Sequence, residues 1–117
     1  MDYKRADRVS DLLKKEISQM LLREVKDPRI GFVTITDVEV SDDLRSARVF
    51  FSMIGDDSEL EKTTKGLNSA TGFIKRKLGK KLRMRYIPSI VFKFDDSLEY
   101  GSYIDNILRD LETPGYD

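Results

Sequence analysis

Lys65-Gly66-Leu67-Asn68-Ser69-Ala70-Thr71-Gly72-Phe73-Ile74-Lys75-Arg76-Lys77 is the stretch on which the reading of the fold turns. It lies inside a segment in which Leu60, Thr64, Leu67, Ala70, Ile74 and Leu78 recur every three or four residues, the mark of a helix with one buried face. Two glycines interrupt it. Each costs about 1 kcal/mol relative to Ala in a helix interior, so Gly66 and Gly72 argue for two helices meeting at a kink, placed at Ser69-Ala70-Thr71-Gly72. Ser58 is the expected cap at the start of the pair, and Gly79 or Leu82 its expected end.

Upstream, Val9, Leu12, Leu13, Ile17, Met20, Leu21 and Val25 predict a helix from Asp7 to Lys26, with Asp7 as its cap and Asp27-Pro28 as its stop. Val33-Thr34-Ile35-Thr36 then alternates, and Val38-Glu39-Val40 alternates in the opposite parity, which predicts one strand with a bulge near Thr36-Asp37. After the turn Ser41 to Arg45, Ala47, Val49, Phe51 and Met53 form one face of a second strand, paired with the first as a hairpin. Downstream of the kinked pair, Ile90, Phe92 and Phe94 predict a third strand opened by Pro88. Tyr100, Ile104, Ile107, Leu108 and Leu111 predict a C-terminal helix, with residues 113–117 fraying. The expected architecture is α+β: one domain over residues 1–112, a three-stranded sheet with helices on one face.

At 117 residues the chain has room for one core. It has no Cys and no His, which excludes disulfides, thiolate or imidazole metal sites and every Ser-His-Asp arrangement. The N-terminus carries no apolar signal core, and no stretch approaches the roughly 18 apolar residues of a membrane span, so a cytoplasmic, soluble protein is expected. The acidic clusters Asp56-Asp57-Ser58-Glu59 with Glu61, and Asp95-Asp96 with Glu99, match no calcium loop and read as turns and helix starts. No metal, cofactor or catalytic residue is expected.

The formal net charge is zero, from 21 basic and 21 acidic side chains, but the charges are partitioned. Residues 65–93 hold nine cations and no acid: Lys65, Lys75, Arg76, Lys77, Lys80, Lys81, Arg83, Arg85 and Lys93. Residues 31–64 hold 3 basic and 8 acidic side chains, and residues 94–117 hold 1 and 7. A run of cations without an interleaved acid forgoes the i,i+4 pairing of a merely solvated helix, and it points to a polyanion. If roughly six cations engage single-stranded phosphates, affinity should fall with salt on a log-log slope near −4. Arg5, Arg8, Lys26 and Arg29 are candidates to extend this surface; Tyr3, Tyr86, Tyr100 and Tyr103 are aromatics able to stack on bases, although packing in a core or interface is the commoner fate of such rings. The competing reading is a protein-interaction module in which the acidic block from Asp42 to Glu61, or the C-terminal helix, binds a basic partner.

The element order resembles a type II KH domain, an RNA-binding fold, although its usual GXXG loop is replaced here by Ser69-Ala70-Thr71-Gly72. Val25-Lys26-Asp27-Pro28-Arg29, Val38-Glu39-Val40-Ser41-Asp42, Ala47-Arg48-Val49-Phe50, and Arg85-Tyr86-Ile87-Pro88 leading to Phe92 and Asp95-Asp96-Ser97 fall in the order and spacing of bacterial ribosome-binding factor A. With Arg8-Val9 through Glu16-Ile17, this resemblance covers nearly the whole chain. It implies a non-enzymatic assembly factor, monomeric when free, that binds the small (30S) ribosomal subunit late in maturation. It further implies contact with 16S rRNA near its 5′ end and decoding region, and support of growth in the cold. Many members carry a longer charged C-terminal extension, whereas this chain ends soon after Pro114, so the core is expected to act without it. The surface expected to meet RNA comprises Lys65, Ser69, Ala70, Gly72, Lys75, Arg76, Lys77, Lys80, Lys81, Arg83 and Arg85.

Overall fold

The computed structural model describes residues 4–95. The C-terminal helix expected over Tyr100 to Leu111, the fraying end, and Tyr3, Tyr100 and Tyr103 lie outside the described residues. In chain order the elements are α1 (Arg5–Arg23), β1 (Val33–Val40), β2 (Ser46–Met53), α2 (Asp57–Ser69), α3 (Thr71–Lys81) and β3 (Ser89–Phe94). The sheet runs β1-β2-β3, with β1 antiparallel to β2 and β2 parallel to β3. A parallel pair needs a long crossover, and α2 with α3 supplies it.

The strand register keeps apolar side chains on one face. Ile35 and Val38 have opposite parity, and both are buried because the β1–β2 register shifts between Ile35 and Asp37 at the expected bulge. Ala47, Val49 and Phe51 of β2 and Ile90 and Phe92 of β3 complete that face. Against it pack Leu13, Ile17 and Met20 of α1, Leu67 of α2, and Ile74 and Leu78 of α3, so all three helices lie on one side. On the opposite face the cross-strand partners Glu39 and Arg48 form an ion pair at 2.6 Å. Ser10 of α1 donates its hydroxyl to Ala6 and accepts the N–H of Val40 at 3.1 Å, which ties the start of α1 to the end of β1.

Both expected helix caps move. Asp7 is the third helical residue rather than the cap, and its carboxylate accepts the N–H of Lys4 at 3.0 Å. Asp56, not Ser58, caps α2: its carboxylate accepts the N–H of Glu59 at 2.8 Å, and Glu59 accepts that of Asp56 at 3.2 Å. In each case an acid in the first turn satisfies the preceding backbone donor and meets the positive end of the helix dipole. The first helix also ends at Arg23, short of Lys26, because the N–H groups of Glu24 and Val25 both bond the Met20 carbonyl and close the turn before Pro28 is reached.

Candidate nucleic-acid interface

The α2–α3 junction is a single residue. Ala70 is both the last cap of α2 and the first of α3, with φ −86° and ψ −6°. Its N–H is shared between the carbonyls of Gly66 (3.1 Å) and Leu67 (3.0 Å), and its methyl belongs to the core. The Ala70 methyl is therefore part of the core, and what the junction offers a ligand is backbone. Thr71 turns its hydroxyl onto the carbonyl of Asn68 at 2.9 Å, and no side chain caps the N-terminus of α3. Free donors and the helix dipole at such an end favour an anion.

The two glycines have different work. A Cβ on Gly66 would lie 2.7 Å from Cγ1 of Ile30 and 3.3 Å from Cβ of Arg29, so Gly66 is where the loop after α1 lies against α2. Thr63, buried one turn earlier, donates its hydroxyl to the Arg29 carbonyl at 3.3 Å. Gly72 is exposed, and a Cβ there would meet only Nη1 of Arg76, at 3.6 Å. Neither glycine has positive φ. The bend thus sits at Ala70, while Gly66 permits packing and Gly72 leaves the junction open.

Packing of the 24–30 loop onto Gly66 brings Lys26 beside the junction, where it lines a recess of about 370 Å³ with Glu24, Val25, Asp27, Ser69, Ala70 and Phe73. Arg29 does not extend the cationic surface as expected. Its guanidinium bonds Asp27 at 3.1 and 2.7 Å, and this hydrogen bonding lowers the Asp27 carboxyl from 3.8 to about 2. Arg5 and Arg8 stand on the first turns of α1, roughly 25 Å from the Lys26 end of that helix at 1.5 Å per residue. They occupy the end of the sheet where residues 82–88 return to β3, not the junction.

The cations divide by helix face. Ile74 and Leu78 point into the core, Lys75, Arg76 and Lys80 are exposed, and Lys77 lies at the edge toward α1. Lys77 pairs with Glu24 at 3.1 Å and Lys81 with Glu16 at 2.9 Å, so α3 runs antiparallel to α1 with two ion pairs across the seam. Lys65 meets Glu61 at 3.7 Å, the i,i+4 pairing that residues 65–93 cannot supply internally. Lys65, Lys77 and Lys81 are thus partly neutralised, which the charge count alone does not reveal. Glu16 is buried, and the ammonium of Lys81 lies off the line of a good hydrogen bond to its Oε1. Lys75, Arg76, Lys80 and Arg83 have no acid partner among the described residues, and Arg85 stacks over the exposed ring of Tyr86 at 5.6 Å. Phe73, whose ring lies 5.7 Å from the Lys77 ammonium, also borders the recess; its place beside Gly72 is the signal that sequence reading passed over. Among the described residues no three acids form a metal site, and no helix is long and apolar enough to cross a membrane.

An α+β sheet with helices on one face, a crossover broken at an open junction, and a cationic second helix define a type II KH-like domain. A family profile described as ribosome-binding factor A matches residues 5–108. The ribosome-binding factor A of Geotalea daltonii is 50% identical over 115 residues, covering 98% of this chain and 94% of the relative, and that of Halothermothrix orenii is 52% identical over 112 residues, covering 96% and 92%. A Thermotoga maritima solution structure assigned to the same factor superposes with a TM-score of 0.71 at 33% identity, covering 80% of this chain and 89% of that one. The chain belongs to the ribosome-binding factor A family. The fold is shared further with a Thermus thermophilus ribosome-binding factor A placed in the density of a complex with the 30S subunit, with a TM-score of 0.53 at 24% identity, covering 69% of this chain and 89% of that one.

Proposed function

We propose that this protein binds the small ribosomal subunit through the α2–α3 junction and the outward face of α3, and assists late maturation of 16S rRNA. The observation that carries the reading is an uncapped helix start opened by Gly72 beside the Lys26 wall of the recess, continued along α3 by Lys75, Arg76 and Lys80 and at its exit by Arg83 and Arg85, none of which has an acid partner among the described residues. Family membership and the 30S complex of the Thermus relative support the choice of particle. The protein works by binding, with residues 1–112 as one RNA-binding unit. Phosphates are held by Lys and Arg, the rRNA backbone approaches the helix start at Gly72, and Tyr86 offers a ring to an unstacked base. The rRNA engaged lies near the 5′ end and the decoding region, and loss of the protein is expected to matter most in the cold, when rRNA misfolds persist longest. In a footprint of the protein on immature small subunits, these regions become protected by the wild type, and a K75E/K80E variant removes the protection. Unchanged protection with that variant would assign binding to another surface.

A further inference from the structure

We propose a second docking point, remote from the RNA surface: the open end of the β1–β2 hairpin, opposite its Ser41–Arg45 turn, where Phe32 and Ile54 form a tip beside α2 that inserts into an apolar recess on a basic protein of the small subunit. Phe32 is 82% exposed and Ile54 95% exposed, and neither joins the core cluster. Val33 and Met53 are the terminal register partners of the two strands, so Phe32 and Ile54 immediately flank them and their Cα atoms are no more than about 13 Å apart. The tip is built. A Cβ on Gly55 would lie 3.0 Å from Cε of Met53 and 3.1 Å from Cβ of Glu59, so the link to α2 is drawn tightly onto that helix and Ile54 is left outside. Two large apolar side chains exposed at the same end of the strand pair make this end the apolar patch offered to a partner.

Charge selects the occupant. Asp56, Asp57 and Glu59 follow Ile54 within one turn, all exposed, with Glu61 beyond them and no cation before Lys62. This rim repels phosphate and equally repels a second copy of the same tip, whereas a cationic protein surface complements it. The 13-residue α2 separates the tip from the Ala70 junction by roughly 20 Å, so rRNA and a basic protein can be held at once. Two contacts joined rigidly add avidity for an assembled particle over free rRNA.

The proposal rests on small-subunit binding, and its test separates the two. F32S/I54S is titrated against purified immature small subunits and against protein-free 16S transcript, with thermal melting as the folding control. We expect affinity for the particle to fall tenfold or more, affinity for the transcript to stay within twofold, and melting to be unchanged. D57K should weaken particle binding and leave transcript binding equal or stronger. Unchanged particle affinity in F32S/I54S, or an equal loss on the transcript, overturns the docking site; so does a wild-type dimer in sedimentation that F32S/I54S dissolves. Wild-type protein that binds neither particle nor transcript instead overturns the proposed function, and the docking site with it.

Discussion

At the scale of single residues, Gly66 and Gly72 make opposite demands although both interrupt the same helical pattern. G66A gains about 1 kcal/mol of helix propensity, but its methyl must displace the body of Ile30 rather than a flexible side-chain end, and overpacking of that kind costs about 1–3 kcal/mol. G66A should therefore be net destabilising in urea denaturation. G72A meets only the end of Arg76 and should be neutral to about 1 kcal/mol more stable, yet weaker in rRNA binding, because its methyl occupies the approach to the junction. Asp27 gives a pH signature. Its folded pKa, about 2, lies below its ordinary 3.8, so its contribution is fully present above pH 4 and is lost as pH falls toward 2. The melting-temperature difference between wild type and D27N should be constant from pH 8 to about 4 and shrink below that.

At the scale of elements, α3 serves the core and the surface with different residues of the same turns. Leu78 is fully buried, and L78A should cost about 2–5 kcal/mol in urea denaturation. Lys80 and Lys81 are neighbours in sequence and should respond differently. K80E should weaken rRNA binding and leave stability within about 0.5 kcal/mol, as an exposed substitution does. K81E places a second negative charge against buried Glu16 and should lower stability by about 1–3 kcal/mol in the same assay. The run Lys75 to Lys81 does not distinguish them, because which cations meet acids depends on α1, dozens of residues away in the chain. The three described helices were legible from their period. Their caps were less so, because Asp7 and Asp56 each sit near several candidate start positions, and backbone geometry decides which donor the carboxylate serves.

At the scale of the molecule, the balanced charge resolves into a cationic junction and α3 face at one end of the crossover and an acidic tip at the other. The five cations without an acid partner among the described residues, at about −0.7 per single-stranded phosphate, predict a log-log salt slope of about −3 to −4 for rRNA binding. A slope near zero in a titration across potassium concentrations would remove phosphate from the contact. The α+β class, the strand bulge, the kink position and the family were all written in the sequence, since hydrophobic period, turn residues and motif order are local properties. Tertiary structure alone decided three things: Lys77 and Lys81 are committed to Glu24 and Glu16, Lys26 borders the α2–α3 junction, and Phe32 and Ile54 share one end of the sheet. Each depends on distances between segments far apart in the chain, and no periodicity along the chain carries that information.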